Sequence, residues 1–552
     1  MFRLYFLFVF FYANFAVCQS DTIDISSVEA NFKSSFIRVS SLKGFNYSKL
    51  SFYKNANTLS LVNLKGVNLD SLFKYCTDLK RLRQIEIINC GISSIPNSIS
   101  KLSFVESLNL RGNNMTQLPD SFILLKNLKQ LNLSMNPYLY DEDVFLKIRD
   151  LNILELDFSS SGLYEISSSI STVKSLKSLN LSYNNLSTIP VSVLDLGLES
   201  LNLSQNTKLD SSKTFAVISK ISTLNDLFLS ECELAELSGK IGDLANLKTL
   251  DLSGNKLDKL PEAIGKLSKL EQLNLGIVGD GYRMNQLVSL PTSFSKLISL
   301  KHLNLSGNKL NFLPENFGAL VNLEHLNLSQ NSFSDFPQSL IQLKKLKYLN
   351  LNENSIVNLP SEIGELAELE ELRLNNFFFN QFDKKLKVVP QSIGKLMKLK
   401  VLSFRDNVIE SVPESIGELK NLEFLDLRDN LLSNLPNSIC RLSKLKYLDL
   451  KANELKSIPV CLESLQDLTD LNVSMNEEAK ISCLIPVFQK MKGLKYLDIS
   501  YNGVLKEQVL PLLDVNPNCR VVNRDYKNRG ATEEVRPRKS EMYQFEKPVD
   551  RK

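Results

Sequence analysis

The chain has 552 residues, with 65 Lys and Arg against 61 Asp and Glu, a formal net charge of +4 and no tryptophan. A charge so near balance gives no electrostatic reason to expect nucleic acid, a membrane surface or an acidic ligand as partner, and the lack of tryptophan weighs against a sugar-binding surface. The length would ordinarily mean several domains, but a repeat array grows by addition and can be one long domain.

Residues 1–18, MFRLYFLFVFFYANFAVC, carry one positive charge at Arg3, an apolar run and small residues at Ala13 and Ala16. This is the pattern of a secretory signal. The run is shorter than the roughly 20 residues of a spanning helix and polar Ser20, Asp21 and Thr22 follow. Cleavage near Cys18-Gln19 is therefore expected rather than an anchor, with lipidation of Cys18 as the competing reading. Export of this kind makes the protein secreted or otherwise extracytoplasmic, at a cell surface or in a periplasm. No later segment is apolar enough for a membrane span. Residues 19–57 are ragged; Ile37-x-Val39 with Leu42 reads as a strand inside an N-terminal cap that shields the first repeat.

Over residues 58–505 one spacing returns about every 23 residues, most clearly in LEFLDLRDNLLSNLPNSICRLSKL at 422–445. Leu425 and Leu427 alternate with Phe424, Asp426 and Arg428, the period of a half-buried strand. Asn430 follows, and its amide can bind the backbone where the chain turns away. Leu435-Pro436 forbids a regular helix just before it, so the return is expected as a short helical turn through 436–439. Such a unit cannot bury its leucines alone and must stack on copies of itself. The central strand position runs from Leu59 and Ile85 to Leu471 and Leu497, about nineteen repeats. The asparagine position runs from Asn113 to Asn502, with Cys90 and Cys232 standing in it as buried ladder residues.

This is the leucine-rich repeat. Its second half appears as LPEAIGKL at 260–267 and VPESIGEL at 412–419, and in this the chain resembles the short-repeat leucine-rich families: the plant Ras-group, Scribble/Erbin-type and disease-resistance-like proteins. The resemblance implies an α/β solenoid, a horseshoe with a parallel concave sheet and short helical or irregular convex segments, that binds proteins without chemistry of its own. The chain departs from the intracellular members in carrying a signal segment and no kinase, PDZ, nucleotide-binding or ligase domain. An intracellular signalling scaffold is the expectation only if that signal reading fails.

Two repeats carry insertions at the same place, near 276–285 (GIVGDGYRMN) and 375–384 (NNFFFNQFDK). Solenoid insertions are displayed on one face and often bind, and Phe377, Phe378 and Phe379 are costly to leave in water; the alternative is that they fold back as local core. Residues 506–522 read as a C-terminal cap of one short helix and a closing strand, and 523–552 as a polar, disordered tail.

Motifs for catalysis are absent: there is no phosphate loop, G-x-S-x-G, C-x-x-C or H-E-x-x-H. No enzyme activity, cofactor or metal is expected. His302 and His325 fall one repeat apart in one outward column, about 5 Å from each other, but suitable further metal ligands are lacking, so they read as a structural pair. Of the cysteines at 76, 440, 461, 483 and 519, Cys440 and Cys461 lie on the outer side of adjacent repeats, where a bridge is feasible.

The outward columns locate a candidate site. Early repeats show small polar groups, such as Ser178, Asn180 and Ser182. Later ones show Phe424 and Tyr447 beside Arg405, Arg428 and Lys451, and aromatics beside arginines make binding hot spots. Asp406, Asp426, Asp429 and Asp449 lie among them, so a self-neutralised ladder of ion pairs is the rival reading. The expected function is a recognition scaffold for a protein ligand, with a glycan as a further candidate. A structural spacer of an envelope or matrix is the alternative.

Overall fold

The computed structural model describes residues 22–24, 35–43, 45–279, 283–376 and 385–524. The expected signal segment, the tail from 525 onward, and Phe377, Phe378 and Phe379 lie outside the described residues. The chain divides into two compact units, Met1–Leu257 and Asp258–Lys552.

In the first unit, strands from Thr22–Asp24 to Thr249–Asp251 follow one another in parallel, each pairing with the next. Ile37, Leu59, Ile85 and Leu108 share one column, which continues through Leu227 to Leu250. The segment read as a cap thus already carries the array's strand. The second unit repeats the arrangement from Gln272–Asn274 to Tyr496–Asp498, with Leu273, Leu303 and Leu425 in register, and the strand Arg520–Val522 adds Val521 to the same column. Each unit is an α/β solenoid of parallel strands with short helical returns.

The alternation that predicts the strands also fills the core: Leu422, Leu425, Leu432, Ile439 and Leu442 are wholly buried. Each such side chain contributes about 1.5–3 kcal/mol by leaving water. The return is a 3-10 helix, Asn437–Arg441, starting after Pro436, whose carbonyl accepts from Ile439 N at 3.1 Å. The 3-10 form is the tight helix used in short pieces. It lets neighbouring returns approach closely: a Cβ on Gly417 would stand 2.4 Å from Ser438 O. Where a repeat is longer and lacks the proline, the return becomes an α-helix instead: Leu69–Cys76, Asp141–Ile148 and Ser211–Ile218 in the first unit. Asn68 and Asp210 cap two of these, accepting from Ser71 N and Lys213 N.

The asparagines stitch repeat to repeat. Asn430 Nδ2 donates to Leu427 O at 3.0 Å and to Phe404 O of the previous repeat at 2.9 Å, while its Oδ1 accepts from Ile409 N at 3.1 Å. Asn184 does the same with Leu181 O, Phe158 O and Ser161 N. Where cysteine replaces asparagine the thiol donates instead, Cys232 to Leu203 O at 3.2 Å and Cys90 to Ile88 O at 3.3 Å. The residue before this position is left-handed in repeat after repeat, as at Met135 (φ 56°), Tyr183 (56°), Asp406 (57°) and Asp429 (56°), with Gly112, Gly254 and Gly307 in the same place. Left-handed backbone costs an L residue roughly 1–2 kcal/mol, and the buried amide network on its flank offsets that cost.

A short helix Lys506–Val515 precedes the last strand, as the sequence suggests. Cys440 and Cys461 form a disulfide with Cα atoms 5.8 Å apart. Cys76, Cys90, Cys232 and Cys519 are buried free thiols, and Cys483 is free and exposed.

Candidate functional site

The strands Val401–Ser403, Phe424–Asp426 and Tyr447–Asp449 are consecutive neighbours, and they bring Arg405, Phe424, Arg428, Tyr447 and Lys451 onto one face of the second unit's sheet. Phe424 and Tyr447 are register partners. Their rings stack with centroids 4.3 Å apart and planes 5° from parallel. Phe424 is therefore only 6% exposed, which corrects the expectation of an exposed phenylalanine: the neighbouring ring covers it. Tyr447 is half-buried, and its hydroxyl donates to Asp449 Oδ2 at 3.0 Å. Burial, followed by the charges of Asp449 and Asp426, pushes the phenol well up, so it remains a donor.

The charges pair across and along strands. Arg428 Nε lies 3.2 Å from Asp426 Oδ2, and its Nη1 lies 3.7 Å from Asp449 Oδ2. Arg405 Nε lies 2.8 Å from Asp406 Oδ2 and 3.6 Å from Asp429 Oδ2. The Asp426 and Asp449 side chains are 0% and 2% exposed. Their other oxygens accept from Arg428 N and Lys451 N, at 3.1 and 3.0 Å. Burial raises Asp449 against the pull of Arg428, and burial together with the Asp429 charge raises Asp406. The ladder reading of these charges holds. The site is a pre-paired network rather than a set of open cations, and its three basic groups face four carboxylates.

The corresponding columns of the first unit hold Ser178, Asn180 and Ser182, then Ser200, Asn202 and Ser204. The asparagines there accept from the backbone two residues on, Asn180 from Ser182 N and Asn202 from Ser204 N.

His302 and His325 stack with centroids 4.6 Å apart and planes 14° from parallel, and Tyr348 follows at 6.1 Å. Imidazole lone pairs lie in the ring plane, so two stacked rings cannot aim both at one ion. Among the described residues no cluster of three or more metal-ligating side chains forms. Burial lowers both histidines, and with the charge of its neighbour it brings His325 down to about 4.

Sequence reading missed the stack of Phe424 on Tyr447, because rings 23 residues apart in the chain meet only through the register. It also missed a group of exposed tyrosines, Tyr138, Tyr140, Tyr164 and Tyr183. These stand outside the leucine and asparagine columns, and their one sequence signal is their clustering.

Parallel one-strand repeats with an asparagine ladder and short 3-10 returns define a class of stacked-repeat proteins. A leucine-rich repeat region model matches residues 290–389 and 378–515, a second leucine-rich repeat model matches 222–276, and a third matches 175–196. The chain is a leucine-rich repeat protein. Among solved structures, a leucine-rich repeat protein of Leptospira interrogans is 28% identical, covering 83% of this chain and 99% of its own, with a TM-score of 0.59. Drosophila Toll, solved in complex with Spatzle, is 19% identical over 84% of this chain and 64% of its own, with a TM-score of 0.53. The functional domain of InlJ from Listeria monocytogenes is 17% identical over 79% and 77%, with a TM-score of 0.50. The last two share the fold. No curated protein matches the sequence. Among the described residues no helix is long and apolar enough to cross a membrane.

Proposed function

We propose that this protein is an exported recognition scaffold that binds a protein ligand on the strand face of its second unit, over residues 399–455. One observation carries the reading: this stretch holds a network of stacked aromatics and buried ion pairs where the first unit, at residues 178–204, shows small polar groups. Pre-paired side chains lose little freedom on binding, and such pre-organisation favours tight association. Stacked rings offer their edges rather than their faces, which favours a protein over a glycan. Membership of the leucine-rich repeat class and the 28% identical Leptospira relative fit a scaffold without catalysis.

A spacer role is favoured by one fact, that the charges of the patch already satisfy one another. A photo-crosslinking residue placed at Lys451, at Ser182 on the first unit and at Ser464 on the outer side separates the two readings. A binder gives a discrete adduct from Lys451 alone, and a spacer gives none there. Export is tested on the same preparation by N-terminal sequencing. A start near Gln19 on protein outside the cytoplasm is the expected result, and an intact Met1 on cytoplasmic protein refutes it.

A further inference from the structure

The near balance of charge over the whole chain hides a local excess. Residues 36–105 hold ten lysines and arginines against three acidic residues, a net +7, while the whole chain is +4 and everything outside this stretch is therefore −3. Part of the excess gathers on two neighbouring returns of the first unit. The 3-10 helix Tyr47–Phe52 carries Lys49, and Lys54 follows in the turn that leads to the next strand. The helix Leu69–Cys76 carries Lys74, and Lys80 and Arg81 occupy the corresponding turn one repeat on. The two returns pack side by side: Tyr47 Oη accepts from Asn68 N at 2.9 Å, and Asn57 O accepts from Arg83 N at 2.8 Å.

Lys49, Lys54, Lys74, Lys80 and Arg81 are exposed, and among the described residues none of them forms an ion pair. Lys129 and Lys177, further along the unit, meet Glu106 at 3.0 Å and Glu199 at 3.3 Å instead. Asp70 and Asp78 are the acids of the same helix and turn, and Asp70 already accepts from Ser98 Oγ of the next repeat. Phe52 falls between Lys49 and Lys54 and is 61% exposed. An aromatic ring held in water amid lysines combines the two signals of a membrane-surface anchor, an apolar group and a polybasic patch. All but one of these cations are lysines. The hydrated point charge of lysine on a flexible stem suits a diffuse anionic surface, whereas arginine's fork suits discrete carboxylates and phosphates.

We propose that these two returns of the first unit dock on an anionic lipid surface. The lysines and Arg81 lie among the headgroups, their stems covering the edge of the acyl region, and the Phe52 ring enters the interface between them.

The test measures co-sedimentation of the full chain with vesicles of phosphatidylcholine alone and with vesicles of equal parts phosphatidylcholine and phosphatidylglycerol. The excess on the anionic vesicles is the quantity read, so that insertion of the apolar residues 1–18 into either bilayer drops out. A clear excess that fades in high salt is expected. Lys54→Gln/Lys80→Gln should cut the anionic partition constant about thirtyfold, near fivefold for each cation. Phe52→Ser should cut it several-fold with the salt dependence kept. Both variants should melt with the native chain, because these side chains are exposed. Lys266→Gln/Lys296→Gln, an equal charge change at exposed positions of the second unit, should leave partitioning as it was. No excess on anionic vesicles, or equal loss in Lys266→Gln/Lys296→Gln, overturns the proposal. Full binding by Phe52→Ser overturns it too, and with equally tight capture of soluble polyglutamate makes the partner an acidic protein. None of these outcomes bears on Lys451 or the strand face.

Discussion

The two units share one backbone recipe and differ in what they put on it. In the first, the outward strand columns at residues 178–204 are Ser and Asn, and the asparagines are spent on their own backbone. In the second, the same columns at 401–451 carry rings and ions bound to one another. Leucines and asparagines set the framework in both, so the outward positions are free to differ. At 178–204 these positions finish the turn; at 401–451 Asp426 and Asp449 finish it too and also join a network that spans several repeats.

That comparison is sharpest where the network is densest. Replacing Arg428 with Ala takes the guanidinium away from the sealed Asp426 and Asp449 carboxylates and should cost about 3–5 kcal/mol. Ser182→Ala, in the same column of the first unit, removes a buried hydroxyl but no charge, and should cost under about 1.5 kcal/mol. Urea unfolding, with hydrogen exchange read at Phe424–Asp426 and Ser178–Asn180, measures both, and similar losses would erase the distinction. The framework should show no such contrast. Asn430→Ala and Asn184→Ala each orphan buried backbone groups and should each cost roughly 1–3 kcal/mol; a clear inequality would mean that the face network props up the ladder.

Acid separates the units in another way, because both histidines lie in the second. Both folded values are depressed, that of His325 to about 4, so between about 4 and 6.5 the unfolded chain binds more protons at His325 than the folded one. Their contribution is intact above pH 6.5 and is lost as pH falls toward 4. Buried carboxylates in both units, Glu155 and Asp157 in the first and Asp406 and Asp449 in the second, are raised by burial, which works in the opposite sense: their charged forms weigh on the fold as pH rises past the ordinary carboxylate range. Thermal melts across pH 4–7 should therefore show a shallower acid loss in His325→Asn than in the native chain, and parallel curves would show that the stacked pair does not titrate as a unit. The smallest expected effect is that of Lys347→Glu, which sets a third carboxylate between Glu324 and Glu370. It should cost under about 1 kcal/mol at low salt and almost nothing in high salt.

Much of the framework was legible because it obeys periods. Leu425 and Leu427 alternate, Asn430 follows at a set distance, and Pro436 announces the tight return; every central leucine named from sequence sits in the column assigned to it. Repeat spacing made a Cys440–Cys461 bridge feasible without fixing it, and the Cα separation of 5.8 Å closes it. The burial of Phe424 was not, since alternation says which way a ring points but not that Tyr447 will cover it. Nor was the left-handed position at Met135 and Tyr183, although glycine in that place at Gly112, Gly254 and Gly307 was the available sign. The exposed tyrosines at 138, 140, 164 and 183 were overlooked for a related reason: they sit on connecting segments, where no period helps.

One edge of the second unit carries a period longer than the repeat. Just before its strands run Glu271, Lys301, Glu324, Lys347, Glu370, Lys400, Glu423 and Lys446 in strict alternation, with each lysine bound to the glutamate before it, as in Lys446–Glu423 and Lys347–Glu324 at 2.7 Å. Loss or gain of a single repeat would set two glutamates or two lysines side by side, whereas loss or gain of two would leave every pair intact. The electrostatic period of this edge is thus two repeats, twice the period of the backbone, and only an insertion or deletion of two repeats would keep every pair.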